Sequence, residues 1–214
     1  MRSPGQESRR IVVVEREGEP RGYATFRRTL DWQVTGPGGT VHVGEVVALD
    51  AAAARALWGV LLDLDLMSGT EPFLLPVDDP VTQLLVNPRA AGARTVDNVW
   101  VRLVDVPAAL AGRRYQTDVD VTLAVTDARL PANDGVWRLQ AGAFGDATCE
   151  PAQVPPSNAD LALDVRELGA AYLGGTSLAA LAAAGLVEEL TPGTLAAASA
   201  AFGWPVAPGC GWVF

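Results

Sequence analysis

The stretch VWVRLVDVPAALAGRRY, Val99 to Tyr115, lies where the character of the chain changes. Its first half alternates apolar and polar residues, which predicts a strand. The apolar members of this strand are Val99, Val101, Leu103 and Val106. Pro107 fixes φ and lacks a backbone N–H, which suits the first turn of a helix over Ala108–Arg114. One layer of structure is therefore predicted to end here and another to begin, with a domain boundary between residues 105 and 106.

The composition predicts one or two packed domains. The chain has 214 residues, of which 49% are apolar and 19% charged, enough for two modest cores and too apolar for disorder. The two cysteines, Cys149 and Cys210, are far apart and form no metal or redox spacing, so a reducing cytoplasm is expected. No apolar run approaches a membrane span, and the start MRSPGQESRR lacks the apolar stretch of a signal peptide. We expect a soluble, cytoplasmic protein with no membrane partner.

The charge of the chain disfavours nucleic acid as a partner. The formal net charge is -9, and all 16 basic residues are arginine, whereas phosphate binding needs a concentrated positive face. A cationic substrate and an acidic surface that serves only solubility both remain open. His42, the single histidine, lies in the alternating strand TVHVGE and is expected to be structural. One histidine leaves little basis for a Ser-His-Asp triad or a histidine-rich metal site, and no metal site is predicted.

The first half of the chain predicts three strands followed by a helix, a strand and a second helix. Residues 1–10 are polar and predict a linker. Asp50 stands where an N-cap should, ahead of a helix that stops near Gly69. The predicted strands are Ile11–Glu15, Gly22–Arg28, Thr40–Leu49 and Pro72–Val77, and the second helix is Val81–Leu85.

This order, followed by the strand of the opening stretch, is that of the later part of a GNAT fold without its first strand and two helices. From about Val12 to its last residue, the chain resembles enhanced intracellular survival (Eis) proteins, bacterial N-acetyltransferases of the GNAT superfamily. The blocks that carry the resemblance are GYATFR, EVVALDAAAARALWGVLLDLD, PVDDPVTQLLVNPRAA, VWVRLVDVPAALAGRRY and LDVRELGAAYLGGTSLAALAAAG. Eis proteins consist of two GNAT units and a domain resembling sterol carrier protein, and only the first unit holds the cofactor. The resemblance therefore implies the C-terminal portion of such an enzyme: a partial, cofactor-free GNAT-like unit over residues 11–105 and a sterol-carrier-protein-like domain over residues 106–214.

The region after the third strand bears on acetyl-CoA binding. The GNAT family holds the pyrophosphate with a loop of the form Q/R-x-x-G-x-G/A, in which glycines let backbone N–H groups reach the phosphate. This chain has ALDAAAARAL there, without glycine, and Asp50 would set a carboxylate where a phosphate should lie. The glycine-containing AAGAR at Ala90–Arg94 follows a helix, which is the wrong context for such a loop. We therefore expect no cofactor in this chain, although the full-length family uses acetyl-CoA, and no activity from the chain alone.

The second half predicts a sheet with helices on one face, so the whole chain is predicted to be α+β. The predicted strands are Val119–Val125, Gly135–Phe144, Ala147–Gln153 and Ala159–Val165, in an antiparallel sheet. The predicted helices are Arg166–Leu173, Ser177–Ala184 and Thr194–Phe202. In sterol carrier proteins this arrangement encloses an apolar tunnel, but the apolar residues can equally fill a core. These residues are Leu161, Leu163, Leu168, Tyr172, Leu173 and Leu178.

The last residue has the most specific predicted role. The tail VAPGCGWVF is rich in Gly, Pro and aromatics, which disfavours a helix, and its apolar end is expected to pack against protein. The resemblance implies that the α-carboxylate of Phe214 is the general base that deprotonates the substrate amine. It also implies acetyl transfer to aminoglycosides and lysine side chains by a homo-oligomer. Two alternatives remain: a lipid or sterol carrier, and a non-enzymatic scaffold.

Overall fold

The protein, seen here in a computed structural model that describes residues 7–212, divides into two compact units. Among these residues, the first unit contains those up to Asn98 and those from Gly209 onward. The second unit is Val99–Pro208. The first unit is therefore built from two separate pieces of chain.

A four-stranded sheet forms the centre of the first unit. Its strands are β1 (Arg10–Arg16), β2 (Glu19–Thr29), β5 (Gly39–Ala48) and β6 (Met67–Pro72), in the order β1-β2-β5-β6. The first three are antiparallel neighbours, whereas β6 runs parallel to β5. A small hairpin of β3 (Trp32–Gln33) and β4 (Gly36–Pro37) lies between β2 and β5. The expected order of three strands followed by a helix and a fourth strand is present.

The helix α1 (Ala51–Leu62) covers one face of this sheet. Leu57, Trp58 and Leu61 recur at helical spacing and are fully buried against Phe26 and Val41 of the sheet. Asp50 is the N-cap, as expected, because its side chain accepts a hydrogen bond from the Ala53 N–H. The short helix α2 (Val81–Leu84) adds Val81 to the same core.

Two boundaries in this unit differ from those expected. The helix α1 ends at Leu62 and not near Gly69, since the chain turns at Leu64–Met67 and Leu66 adopts a positive φ of 64°. The strand expected at Pro72–Val77 is instead Met67–Pro72, because main-chain pairing with β5 begins at Met67. Long-range pairing outweighed the weak strand propensity of Ser68 and Gly69.

The second unit has a five-stranded sheet in the order β11-β10-β7-β8-β9. These strands are β7 (Val119–Thr126), β8 (Gly135–Ala141), β9 (Ala147–Pro151), β10 (Leu161–Asp164) and β11 (Val187–Glu189). The expected antiparallel pairing is present at three of the four neighbouring pairs, whereas β10 runs parallel to β7. The strand β11 was not predicted, since three residues leave too short a pattern.

Four helices pack on one face of this sheet. They are α3 (Val106–Ala111), α4 (Val165–Tyr172), α5 (Leu178–Ala183) and α6 (Thr194–Phe202). One core cluster joins them to the sheet, and it contains Leu161, Leu163, Leu168 and Leu178, with Tyr172 packed against it. Leu173 does not belong to this core, since 45% of it is exposed. For the other five residues, packing within a core is the interpretation that the contacts favour.

The segment Val99–Val106 is not a strand, and this is the main correction to the predicted fold. Val99 is exposed and Leu103 is buried, but the main chain bonds to side chains and not to a neighbouring strand. Asn133, in the turn between β7 and β8, accepts from the Val106 N–H at 2.9 Å and donates to the Leu103 carbonyl at 3.3 Å. The helix α3 then begins at Val106, two residues before the expected start, with Asp105 as its N-cap.

The buried carboxylate of Asp127 is the centre of this turn. Its oxygens accept from the Asn133 amide at 3.0 Å and from the main-chain N–H groups of Arg129 and Leu130. The Arg102 guanidinium also bonds it, at 2.6 and 2.9 Å. These donors, Asn133 first, hold the pKa of Asp127 well below its ordinary value.

We expect the stability of the second unit to fall in acid because of Asp127. A depressed folded-state pKa means that the ionised carboxylate stabilises the fold above the unfolded pKa of about 3.9, and that this contribution is lost as the pH falls below it. Urea titrations at pH 7 and pH 3 measure the change in midpoint. Asp127→Asn should be less stable at pH 7 and lose less between the two pH values than the native chain. An equal loss in both proteins would contradict the assignment.

Candidate functional site

The junction of β5 and α1 is where a GNAT fold would hold the pyrophosphate of acetyl-CoA. Asp50 lies there, and its Oδ1 accepts from the Ala53 N–H at 2.8 Å. Its Oδ2 accepts from both Nε and Nη2 of Arg21, on β2, at 3.0 and 2.8 Å. Both carboxylate oxygens are therefore engaged by the protein's own donors.

The electrostatics of this junction favour the carboxylate already present. The Ala53 N–H, and after it the Arg21 guanidinium, lower the pKa of Asp50, so it stays ionised at neutral pH. A helix N-terminus attracts one anion through its free N–H groups and its dipole. Here Asp50 is that anion, and Arg21 neutralises it.

The Asp50 carboxylate and the local sequence disfavour a diphosphate at this junction. Residues 49–55 contain no glycine, so this segment itself does not form a glycine-rich turn at the N-terminus of α1. A phosphate there would lie against the Asp50 carboxylate, and like charges in contact repel. The glycine-containing Ala90–Arg94 gives no substitute, since Pro88–Ala91 is a 3-10 turn that ends at Gly92 with a φ of 60°.

His42 has partners on both ring nitrogens. Its Nε2 lies 3.0 Å from the Thr29 hydroxyl, and its Nδ1 lies 3.2 Å from the Glu71 carboxylate. All three residues lie on or at the end of strands of the same sheet, and the ring is half-buried. This geometry supports the structural interpretation of the histidine.

A polar groove of about 560 Å³ lies on the second sheet. Asp120 accepts there from Nε and Nη2 of Arg138, at 2.9 and 2.8 Å. Asp160 accepts from the N–H and the hydroxyl of Thr122, at 2.8 and 2.7 Å. Both carboxylates therefore already accept hydrogen bonds from other residues of the protein, which favours a structural role for them.

The predicted catalytic residue, Phe214, lies outside the described residues. The described tail, Gly209–Trp212, belongs to the first unit. The side-chain amide of Asn98 donates to the main-chain oxygens of Cys210 and Trp212, at 2.7 and 2.9 Å. Trp212 itself is 78% exposed, so the expectation that the apolar end packs against protein is wrong at this residue.

Sequence reasoning missed Arg21 and Asn98. Arg21 is 29 residues from Asp50, and Asn98 is 112 residues from Cys210. Neither pair forms a local pattern, so only the folded chain brings the partners together. Within residues 7–212, no group of three or more His, Cys, Asp or Glu side chains could hold a metal ion. The same range contains no helix with the length and apolar character to span a membrane.

Comparison with known families assigns both halves of the chain. Residues 1–103 match an acetyltransferase (GNAT) domain, and residues 106–211 match a sterol carrier protein domain. The first match leaves one expectation without support. Because this half is itself described as a GNAT domain, the comparison does not support the view that the chain is only a C-terminal portion without an acetyl-CoA-binding unit.

Several relatives match most of this chain. An uncharacterized N-acetyltransferase of Streptomyces avermitilis is 47% identical over 207 residues, which are 97% of this chain and 50% of the relative. N-acetyltransferase Eis of Mycobacterium tuberculosis is 34% identical over 188 residues, 86% of this chain and 42% of Eis. The crystal structure of Eis1 from Mycobacterium abscessus matches with a TM-score of 0.72 at 37% identity, over 90% of this chain and 48% of Eis1. The chain thus spans about half the length of the curated relatives it matches, and it is similar to Eis-like GNAT N-acetyltransferases, with a GNAT domain match in its first half and a sterol carrier protein domain match in its second.

Proposed function

We propose that this chain is the C-terminal portion of a longer, cytoplasmic, acetyl-CoA-dependent N-acetyltransferase. Residues 11–105 serve as a GNAT-like unit that holds no cofactor, and residues 106–214 serve as the carrier-like domain. The acceptors are amines of cationic molecules, such as aminoglycosides, and of lysine side chains. The whole protein assembles as a homo-oligomer, and the chain alone is inactive.

The single observation that supports this proposal most is the Arg21–Asp50 pair. It occupies the N-terminus of α1 with an anion from the protein itself, at the place where a GNAT domain would take a diphosphate. Breaking the pair to admit a phosphate would leave the Asp50 charge beside a second anion. The cofactor of the reaction is therefore held elsewhere in the longer protein.

The contribution of this chain to the chemistry is the α-carboxylate of Phe214, acting as general base toward the substrate amine. The path of the tail supports this role, since residues 209–212 lie with the GNAT-like unit and not with the carrier-like one. An ordinary α-carboxyl has a pKa of about 3.5, so it is a weak base at neutral pH. A desolvated position would raise that value toward the range of an efficient base. The net charge of -9 suits a cationic acceptor.

Isothermal titration calorimetry of the full chain with acetyl-CoA tests the cofactor part of the proposal. We expect dissociation constants above about 1 mM, since less than about 4 kcal/mol of binding free energy remains without a phosphate site. Coenzyme A is the control ligand. Asp50→Asn is the control variant, because asparagine removes the negative charge of Asp50 while keeping the shape of the side chain. Asp50→Asn should bind no more weakly than the native chain.

Micromolar binding of acetyl-CoA that coenzyme A displaces and Arg21→Ala abolishes would overturn the proposal. That pattern would place the diphosphate on Arg21 at the β5–α1 junction. Mass spectrometry of molecules extracted from the purified chain serves as a second check. A stoichiometric lipid would favour the carrier alternative.

A further inference from the structure

A pocket of about 370 Å³ in the first unit is lined by residues of α1 and α2. The residues from α1 form one stripe, at the helical spacing i, i+3, i+4 and i+7. They are Arg55, Trp58, Gly59 and Leu62, and α2 adds Gln83 and Leu84. The volume lies within the range of small-ligand sites. We refer to this opening as the α1–α2 pocket.

The wall of the α1–α2 pocket contains a buried donor without a partner. Trp58 is 1% exposed, and its indole N–H has no acceptor among residues 7–212. A buried indole N–H usually finds an acceptor, because burial removes the hydrogen bond that it makes to water in the unfolded chain. An acceptor that enters the pocket approaches this ring from the side that lines the opening. The pocket therefore offers a donor that a bound acceptor would satisfy.

The other polar groups of the pocket are also donors, and one of them is charged. Arg55 is exposed, and within the described chain its guanidinium forms no ion pair or hydrogen bond. The carboxamide of Gln83 likewise has no partner there. None of the lining residues is acidic, although the whole chain has a net charge of -9. A carboxylate is the group that can accept from an indole, a guanidinium and an amide together.

Gly59 leaves the α1–α2 pocket open. It lies in the interior of α1, where glycine is less favourable than alanine. Close packing does not require it, since a Cβ at this position would meet no atom within 4 Å outside the backbone of its own helix. Leu62 and Leu84 supply apolar wall on either side of the opening. The stripe thus combines donors, apolar contact and free space.

We propose that the α1–α2 pocket binds an organic carboxylate with an apolar body. The carboxylate accepts from the Arg55 guanidinium and the Trp58 N–H, and the apolar body lies against Leu62 and Leu84. A neutral molecule of the same shape would lose the ion pair, and an inorganic anion would lose the apolar contact. This binding does not depend on the proposed function, so either can fail without the other.

Nuclear magnetic resonance of the full chain tests the site. The chain has six tryptophans, and the loss of one indole N–H signal in Trp58→Phe identifies the signal of Trp58. The probe is 4-phenylbutyrate, and neutral 4-phenylbutyramide is the control ligand. We expect the carboxylate to move the Trp58 signal downfield, as a new hydrogen bond does, with a Kd of about 0.5 mM. The amide should bind at least about fivefold more weakly, because it lacks the charge.

Three variants assign the binding to this pocket. Arg55→Met should weaken binding about tenfold, because it removes the charge and keeps an apolar stem. Arg16→Met is the matched control, since Arg16 is an exposed arginine of β1 that does not line the pocket, and it should stay within about twofold. Gly59→Leu should fill the pocket and abolish binding, with a urea midpoint no lower than that of the native chain. If Gly59→Leu fails to fold, Gly59→Ala should still weaken binding.

Equal binding by Arg55→Met and Arg16→Met would overturn the proposal, as would native affinity in a folded Gly59→Leu. A Trp58 signal that does not move at probe concentrations up to about 10 mM would do the same. Gln83→Met supplies a further check on the free chain. If the Trp58 signal moves upfield in this variant, the Gln83 carbonyl already accepts from the indole, and the donor is not available to a ligand.

Discussion

Replacing Asn133 with alanine is expected to lower the free energy of unfolding of the second unit by about 3 kcal/mol, because several buried groups lose their partners together. Only 1% of Asn133 is exposed. Its amide bonds the Val106 N–H, the Leu103 carbonyl and the Asp127 carboxylate. Without it, the first turn of α3 and the end of the preceding segment are left with unsatisfied polar groups away from water.

Hydrogen exchange measured by mass spectrometry tests this loss within the second unit alone. Peptides covering β7 and β8 report the free energy of opening. Asn158→Ala is the control, since an exposed side chain should change stability by less than about 0.5 kcal/mol. A loss below about 1 kcal/mol in Asn133→Ala would show that the turn holds its shape without the amide.

Arg113→Ala is expected to destabilise the same unit by a similar amount, about 3 kcal/mol. The guanidinium donates to the carbonyls of Tyr172 and Phe202, at 2.6 and 3.0 Å. These carbonyls lie in the last turns of α4 and α6, where no intrahelical partner is available. The guanidinium carbon also lies 4.7 Å from the ring centroid of Tyr115 and 4.9 Å from that of Phe202. Burial lowers the pKa of Arg113, but the ordinary pKa of arginine lies so far above neutrality that the side chain stays cationic.

The neighbouring arginine provides the matched control. Arg114 is exposed and bonds the Phe144 carbonyl and the Asp146 carboxylate at the surface, so Arg114→Ala should cost less than about 1 kcal/mol. Arg113→Met should recover part of the loss, since it keeps an apolar stem among the rings. Urea unfolding followed by circular dichroism measures all three variants. Equal losses for Arg113→Ala and Arg114→Ala would refute the bridging role of Arg113.

The elements of the second unit could be predicted because their patterns are local. Val119–Thr126 alternates, and its residues Val119, Val121, Leu123 and Val125 all face the helices. The helix Thr194–Phe202 has the predicted bounds and ends at Gly203. In both cases the period of the apolar residues and the stop signals agree with the fold.

The segment Val99–Val106 could not be predicted because its alternation does not arise from a sheet. Only Leu103 and Val106 are deeply buried among its apolar residues. The groups that bond its main chain lie about 30 residues later, on Asn133. An asparagine in a turn gives no indication in the sequence of which distant backbone it will bind.

At the candidate site, too, the local feature could be predicted from the sequence and the distant partner could not. Asp50 as a helix cap follows from its position before AAAARAL, and its side chain does cap α1. Arg21 as its partner has no local signal. The role of Phe214 comes from the family resemblance and stays a prediction, since the described residues end at Trp212.

The division of the first unit into two pieces of chain has a consequence for biosynthesis. Residues 209–212 belong to that unit but leave the ribosome only after the whole of Val99–Pro208 has been made. The sheet can form during translation, whereas the bonds from Asn98 to Cys210 and Trp212 must wait until residues 210–212 have been made. Among the described residues, these two bonds of the first unit therefore form only after the segment Val99–Pro208 has been made and has had time to fold.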